Sequence, residues 1–390
     1  MSVSWRYGFP ERDKHLVRYA ELAGLAFNVP FEEVEPKIRA FGSRIVRVLE
    51  DPRRVAGGAL LYPMGQWFAG RCVPTTGVAA VAIASEMRGR GLAAQLMRAI
   101  LNEIHEKEIP LSTLYPAIVS LYRRAGYELA GARHETRLAL RTFDIRERAL
   151  EVRELGEQDR RAVNELYARR VKSANGPLDR AGEGWRKVLD IWRSPMVRQG
   201  IWDGERLEAA VAYPPKLKDG ALTVAELVAG SPAGARRLLA YLGAQRSTVE
   251  ACVFHGPAAD PLLDELQPFS YQSRLFSRWM LRIVDVARAL EARGYAPGAR
   301  GTAQLEIRDD ILPHNAGRFV LEVAEGSARV RPGGRGLIKI DIRGLAALYS
   351  AYLPAGELRE FTPYLEASPA QVAVLQALFG GPAPWMAEGF

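Results

Sequence analysis

The sequence is poor in cysteine: its 390 residues include only Cys72 and Cys252, which lie in separate regions without metal-ligand spacing. We therefore expect no disulfide framework and no metal site, and a reducing cytoplasm suits the chain best. The N-terminus lacks the apolar core of a signal peptide, and we expect no membrane-spanning segment. These absences favour a cytoplasmic globular protein without a membrane partner.

A concentrated basic block is also missing. The formal net charge is +8, but the Lys and Arg residues are dispersed among Asp and Glu over the whole chain. Nucleic-acid binders usually gather basic residues on one face, so we expect no nucleic-acid partner. The length exceeds that of one ordinary core and predicts two or three domains.

The first segment has the pattern of a mixed α/β domain. "GVAAVAIA" is typical of a buried central strand, and the next helix is predicted from Leu92, Leu96, Ile100 and Ile104, which recur at i, i+4. A short strand "LSTLYP", a helix "AIVSLYRRAG" and a strand "YELAGARHETRLAL" follow. We place the end of this domain at residue 143.

The second segment repeats part of this order. "EVRELGEQDRRAVNELYARR" and "LTVAELVAGSPAGARRLLAYLGAQ" each predict a strand, a turn and a helix. The turn "AGSPAGARR" has lost the Arg-x-x-Gly-x-Ala spacing of the first copy, so we expect it to have lost any phosphate loop. A third segment with its own α+β alternation begins near "RIVDVARALEARGY". The predicted domains are 1–143, 144–283 and 284–390.

A glycine-rich loop in "VAIASEMRGRGLAAQLMRAI" carries the strongest chemical signal. Its Gly89-x-Gly91-x-x-Ala94 spacing matches a dinucleotide fingerprint, but no acidic residue follows between Ile109 and Tyr127 to bind a ribose. No Gly-Lys-Ser or Gly-Lys-Thr follows either, which excludes a P-loop. Read instead as Arg88-x-x-Gly91-x-Ala93, the loop places backbone N–H groups at a helix N-terminus and predicts a pyrophosphate site. The residues predicted to form it are Gly89, Arg90, Gly91, Leu92, Ala93 and Ala94.

With this loop the sequence resembles the GCN5-related N-acetyltransferases (GNAT), whose coenzyme motif is (Gln or Arg)-x-x-Gly-x-(Gly or Ala). "RGRGLA" matches that motif, and "LYRRAGY" matches the Tyr-x-x-x-Gly-(Phe or Tyr) signature that follows it. The resemblance implies acetyl-CoA as co-substrate and a pantetheine arm paired with the strand "VAIA", where the Ile83 N–H is a candidate oxyanion donor. The further coenzyme-binding residues that it implies are Val81, Ala82, Ala117 and Ile118.

The resemblance extends over the whole chain to the Eis (enhanced intracellular survival) family. "ELVAGSPAGARRLLAYLG", "RWMLRIVDVARALEARGY", "LPHNAGRF" and "PWMAEGF" are similar to landmarks of that family. It implies tandem GNAT domains, the second degenerate, and an α+β C-terminal domain similar to sterol carrier proteins. It also implies a hexamer and acceptors that are small molecules with aminoglycoside-like or polyamine-like amines.

The same resemblance implies the catalytic groups. Tyr122 lies where the family places its general acid, and a phenol stays protonated at neutral pH until a thiolate leaves. The C-terminal carboxylate of Phe390 is the implied general base, and Glu388 could attract a cationic amine. Neither cysteine lies in the motifs, so direct transfer is expected rather than an acyl-enzyme.

Two other functions stay open at this stage. A lipid- or sterol-binding protein would use the GNAT domains as scaffold, whereas a protein lysine acetyltransferase would modify one site of a folded protein. The intact loop and Tyr122 favour an N-acetyltransferase that acts on a polycationic small molecule.

Overall fold

The computed structural model describes residues 5–143, 145–180, 192 and 194–390. Within these residues helices pack on one large curved sheet and two smaller ones, which confirms the predicted mixed α/β class. Residue 144, where the predicted second domain begins, lies outside the described residues. Across the described ranges, no helix combines the length and apolar character needed to cross a bilayer.

The first domain packs its first and third helices against a sheet whose fourth strand contains the predicted apolar run. The predicted helix after the glycine loop is present, and Leu92, Leu96, Ile100 and Ile104 are all buried against the sheet, as their spacing predicts. The elements of this domain are β1 (Arg6–Gly8), α1 (Asp13–Phe27), α2 (Phe31–Phe41), β2 (Val46–Glu50), β3 (Val55–Phe68), β4 (Arg71–Ile83), α3 (Leu92–Glu106), β5 (Leu111–Leu114), α4 (Val119–Arg123) and β6 (Glu128–Ala139).

The second domain repeats the order of strand, helix and strands that the sequence indicates. Its own sheet has the strand order β12-β10-β9-β7, and β13 and β11 extend the large sheet beyond β6. The elements are β7 (Glu151–Glu154), α5 (Arg160–Val171), β8 (Asn175–Leu178), β9 (Val197–Asp203), β10 (Arg206–Tyr213), β11 (Ala221–Thr223), β12 (Glu226–Ala229), α6 (Pro232–Gly243), β13 (Ala251–Gly256) and β14 (Tyr271–Ile283).

The third domain consists of one five-stranded sheet and the helices that pack on it. The order of its strands is β17-β16-β15-β18-β19. Its strands and helices agree with the α+β alternation that the sequence predicts for this segment. The elements are α7 (Val286–Ala292), β15 (Gly301–Arg308), β16 (Gly317–Ala324), β17 (Ser327–Pro332), β18 (Ile338–Asp341), α8 (Ile342–Tyr349), α9 (Ala355–Phe361), β19 (Leu365–Glu366) and α10 (Pro369–Phe379).

Strand β14 belongs to the second segment of the chain but lies in the sheet of the first. It runs antiparallel between β5 and β6, and Met280 lies opposite both Leu114 and Leu129. Trp279 of β14 is fully buried, and a Cβ added to Gly131 on β6 would lie 2.5 Å from its indole. The second segment therefore completes the first sheet.

The last ten residues form a tail that lies between the first two domains. The Ala132 N–H donates to the Pro384 carbonyl at 3.2 Å, and the Met386 N–H donates back to Ala132 at 3.3 Å. On the other side, the Trp385 N–H donates to the Asn175 carbonyl at 3.0 Å. These bonds hold a segment that would otherwise fray, and they carry the C-terminus into the first domain.

Candidate active site

A cleft opens in the first domain where β4 and β5 stop pairing. The two strands run parallel over a short register that ends with Gly77 opposite Thr113. Directly after β4, the Ala84 N–H donates to the Ala56 carbonyl on β3 at 2.8 Å. Because consecutive N–H groups of a strand point to opposite edges, the Ile83 N–H faces the edge that β5 has left. That edge can pair with an extended ligand arm.

A bulge bends β4 just before this edge. Ala80 has a φ of 48°, and the register between β3 and β4 shifts there. The fully buried Tyr19 donates its hydroxyl hydrogen to the Ala80 carbonyl at 2.9 Å and so fixes the bend. The predicted pantetheine residues follow the bend: Ala82 is buried, and Val81 and Ile83 are half-buried. Sequence reasoning missed the bulge and the part of Tyr19 in it.

The glycine loop lies at the N-terminus of α3. Gly89 and Gly91 have φ values of 76° and 78°, a conformation that glycine adopts without strain. A Cβ added at either would meet no atom of the described residues within 4 Å. The N–H groups of Leu92, Ala93 and Ala94 have no helical partners because they lie in the first turn of α3. No described side chain caps this end of the helix in their place. Free donors and open space at a helix N-terminus suit a bound phosphate group.

Four exposed arginines surround this N-terminus. Within the described residues none of them forms an ion pair with a carboxylate, although Arg88 donates weakly to the Ile83 carbonyl at 3.4 Å. Their charge is therefore available to an anion. The four are Arg88, Arg90, Arg98 and Arg124.

Two of these arginines were missed by sequence reasoning. Arg98 and Arg124 line a groove of about 300 Å³ between α3 and α4, beside Ala94. They are far apart in sequence and come together only through the packing of the two helices. This groove continues the basic surface from the glycine loop.

Tyr122 lies on α4 with its ring in the core of the first domain. The residue is 6% exposed, and its ring meets that of Tyr127 edge to face at 6.1 Å. Its hydroxyl has no hydrogen-bond partner among the described residues, yet it is not one of the fully enclosed unpartnered atoms. Burial raises the pKa of Tyr122 to about 12. The side chain is thus a fixed, protonated donor whose hydroxyl remains accessible.

The neighbours of Tyr122 have different environments. The fully buried Tyr127 shares a hydrogen bond with the Ser112 hydroxyl at 2.7 Å, as a core residue would. Ala117 and Ile118 precede α4 and are exposed, with Ile118 60% exposed. They border the open side of the cleft beyond β5.

The tail places Phe390 at the point where β4 and β5 stop pairing. Its ring meets Tyr62 at 6.2 Å and Tyr115 at 5.7 Å, both edge to face. A Cβ on Gly77, the last residue of β4 that pairs with β5, would lie 2.9 Å from the Phe390 ring. The Tyr115 hydroxyl also donates to the Glu388 carbonyl at 2.7 Å. No described basic group forms an ion pair with the Phe390 carboxylate.

The first domain thus contains a helix N-terminus with open N–H groups, a strand edge beyond β5 and a buried phenol, and the Phe390 ring packs against the same domain. Such a set can bind a phosphorylated thioester, polarise its carbonyl and move protons during acyl transfer. Among the described residues no grouping of His, Cys, Asp or Glu suits a metal ion.

Comparison with sequence families gives three matches along the chain. Models described as "Acetyltransferase (GNAT) domain" match residues 10–130 and 176–283, and one described as "Sterol carrier protein domain" matches residues 286–387. No curated protein sequence gives a significant match.

Solved structures similar to the chain span its whole length. A GCN5-related N-acetyltransferase from Anabaena variabilis ATCC 29413 is 31% identical over 99% of this chain and 100% of that chain, with a TM-score of 0.93. One from Kribbella flavida is 30% identical over 100% and 99% of the two chains, with a TM-score of 0.89. Eis1 from Mycobacterium abscessus shares the fold at 21% identity, over 99% and 100% of the chains, with a TM-score of 0.79.

These matches confirm the predicted fold of two GNAT domains followed by a sterol-carrier-type domain. They also confirm the predicted enzyme class, an N-acetyltransferase. The chain belongs to the GCN5-related N-acetyltransferase family.

Proposed function

We propose that this chain is an Eis-type enzyme that transfers the acetyl group of acetyl-CoA directly to a primary amine of a small polycationic molecule. The observation that carries the proposal is the uncapped N-terminus of α3, with its open glycine loop and with arginines that form no ion pair to a described carboxylate, beside the cleft that holds Tyr122. The matched ranges fall inside the domain division 1–143, 144–283 and 284–390, which we keep as part of the proposal.

The first domain fits the coenzyme at three places. The N–H groups of residues 89–94 bind the pyrophosphate, with charge from Arg88 and Arg90. Arg98 and Arg124 suit a further phosphate group in the groove between α3 and α4. The edge of β4 at Val81–Ile83 pairs with the pantetheine arm, which passes the exposed Ala117 and Ile118.

The chain's own groups then serve the transfer. Acetyl-CoA supplies a thioester carbonyl, and the Ile83 N–H stabilises the negative charge that develops on its oxygen. The Phe390 carboxylate accepts the proton of the attacking amine, directly or through water. As the new C–N bond forms and the C–S bond breaks, the Tyr122 hydroxyl gives its proton to the departing sulfur and regains one from solvent. No cysteine nucleophile is used, since neither cysteine lies in the motifs and burial raises the pKa of both Cys72 and Cys252 to about 12.

The Eis resemblance further predicts a hexamer. Light scattering coupled to size-exclusion chromatography measures the molar mass directly. The predicted value is that of six chains.

The proposal is tested by coenzyme A thiol release with a panel of acceptors. Aminoglycosides and polyamines should release thiol and gain several acetyl groups, whereas a lysine peptide should react slowly. Preferred acetylation of one lysine in a folded protein would favour a protein acetyltransferase. Absence of coenzyme A binding would contradict the whole proposal.

A further inference from the structure

The second domain contains a cavity of about 710 Å³ at the place that corresponds to the coenzyme cleft of the first. Strands β11 and β13 run parallel up to Thr223 and Val253, just as β4 and β5 do up to Gly77 and Thr113. Beyond this point the chain turns away into β12, which pairs with β10. The cavity lies in the opening, between residues 223–232 and 254–257.

This second cleft is not built to hold phosphate. The helix that follows it, α6, begins with Pro232, which has no N–H to offer. The Ser231 hydroxyl accepts the Gly234 N–H at 3.1 Å, so the protein itself satisfies a donor that is free in α3. A Cβ on Gly234 would lie 2.6 Å from the Glu208 carbonyl, so the backbone there is covered.

The excess of carboxylates over arginines in the lining of the cavity also disfavours the binding of an anion. Five carboxylates face three arginines, and the pKa of His255 is lowered to about 4 by burial, which keeps it neutral at pH 7. Arg170 is engaged with Asp260 at 3.4 Å. The carboxylates are Glu226, Asp260, Asp264, Glu265 and Glu388, and the arginines are Arg133, Arg170 and Arg180.

One arginine is shared by the two deepest of these acids. The Arg180 guanidinium forms ion pairs with both Glu226 and Glu388. Burial raises the pKa of Glu226, and the charge of Arg180 opposes that shift. A single cation thus serves two acids in a part of the cavity where water is scarce.

Glu388 is left with an unused oxygen. The residue is 4% exposed, and its Oε1 accepts from Arg180 Nε at 2.9 Å and from the Tyr167 hydroxyl at 3.2 Å. Its Oε2 is enclosed and has no hydrogen-bond partner among the described residues. A buried carboxylate oxygen without a donor costs free energy that a bound cationic donor offsets.

We propose that the cleft of the second domain is a binding site for a small organic cation, whose ammonium group donates to Glu388 Oε2. The volume suits a compound of polyamine or aminosugar size. The half-buried Trp385 ring in the lining can pack against its carbon chain or ring. The site lies in the second domain, beyond the acetyl-CoA cleft. The ligand class rests on the proposed function, because Glu388 belongs to the same tail as Phe390 and the cation is of the same class as the proposed acceptor.

Isothermal titration of the native chain with spermidine, and separately with kanamycin, tests this site. The titrations contain no acetyl-CoA, so their result stands whether or not acetyl transfer is observed. The proposed acceptor site can also bind these amines, so the second cleft predicts a second equivalent of spermidine or kanamycin per chain. Asp264→Asn lies only in the lining of the second cleft and should weaken that equivalent alone. Binding of neither amine would overturn the proposal.

Matched variants locate the site. Glu388→Gln keeps the size of the side chain and should weaken binding at least about tenfold, because a charge-assisted hydrogen bond is lost. Asp264→Asn removes an exposed carboxylate of the lining without disturbing a buried pair, and should weaken binding roughly threefold. Glu357→Gln, on α9 and outside the lining, should leave the affinity unchanged.

Two results would contradict the proposal even if a cation binds. The first is equal affinity in the native chain, Glu388→Gln and Asp264→Asn, which would place the cation elsewhere. The second is the binding of two coenzyme A molecules per chain, with one of them strengthened by Glu388→Gln, which would make the second cleft an anion site.

Discussion

Single residues decide whether the loop before α3 can hold a phosphate. Gly89 and Gly91 both combine a left-handed φ with open space at the Cβ position. The first property makes any other residue strained, and the second leaves room for a ligand to approach the backbone. The two properties together distinguish a binding loop from an ordinary tight turn.

Gly91→Ala should raise the dissociation constant of coenzyme A at least about tenfold, because the new methyl group strains the backbone and occupies the approach path. Isothermal titration measures the change. Gly298→Ala is the matched control, since its Cβ would also meet nothing within 4 Å among the described residues but its φ lies outside the left-handed range. Equal affinity in the two variants would contradict a phosphate site at this loop.

Tyr122→Phe should lower kcat by roughly 10²- to 10⁴-fold, the usual contribution of a general acid, with coenzyme A affinity unchanged. Because burial raises the pKa of Tyr122 to about 12, the native acid stays protonated up to about pH 10. The native rate should therefore rise with pH as the acceptor amine loses its proton, and should show no decline from Tyr122 in that range. Tyr352→Phe, in the third domain, is the control; full activity of Tyr122→Phe would exclude the acid role.

Among the residues of the candidate site, the sequence predicts those that belong to a motif with fixed spacing. The arginine and glycine positions of the loop and Tyr122 follow from two short motifs. Arg98 and Arg124 do not, because only the packing of α3 against α4 brings them together. Tyr19 is missed for the same reason: its hydrogen bond to Ala80 joins residues that are distant in sequence.

Among the elements, the tail after α10 and the strands β4 and β5 determine the geometry of the candidate site. Gly77 lies under Phe390 and beside Met64, so the absence of a side chain on β4 makes room for the terminal ring. The position of the terminal carboxylate therefore depends on a strand residue that makes no proposed contact with substrate.

Gly77→Ala should displace both the Met64 methyl group and the Phe390 ring, because the added Cβ would clash with Met64 Cε and lie 2.9 Å from the ring. We expect kcat to fall about tenfold or more while the coenzyme A dissociation constant changes little. Gly8→Ala on β1 is the control, since its Cβ would make only an ordinary contact at 3.7 Å. Equal kcat in the two variants would show that the position of Phe390 does not affect catalysis.

A helix with strong periodicity, such as α3, and a strand with a continuous apolar run, such as β4, are predictable from the sequence. The insertion of β14 between β5 and β6 is not, since hydrophobic alternation does not say which strands pair. The same limit hides the bulge in β4, which appears only as a shift of register against β3.

At the scale of the whole molecule, a buried ion pair joins β14 to the third domain. Arg282 donates to both carboxylate oxygens of Asp309 at 2.8 and 2.7 Å, and neither side chain is exposed. Asp309 also accepts the N–H groups of Ile311 and Leu312 and the amide of Asn315. This junction orders the third domain against the completed first sheet.

Asp309→Asn should lower the free energy of unfolding by about 3–5 kcal/mol, because Arg282 keeps a buried charge without a counter-charge. Chemical denaturation measures the loss. Asp310→Asn is the neighbouring control: its pair with Arg308 is exposed, and its removal should cost less than about 1 kcal/mol. A comparable loss in both variants would contradict the structural part assigned to the buried pair.

The most direct test of the central claim follows a labelled acetyl group. The native chain is mixed with acetyl-CoA labelled in the acetyl carbon, with and without an aminoglycoside or polyamine, and the reaction is stopped with acid at short times. Direct transfer predicts that the label passes to the small amine in amounts equal to the thiol released, and that the protein carries none. Label bound to the protein before it reaches the amine, or an unmodified amine while coenzyme A binds, would contradict direct acetyl transfer.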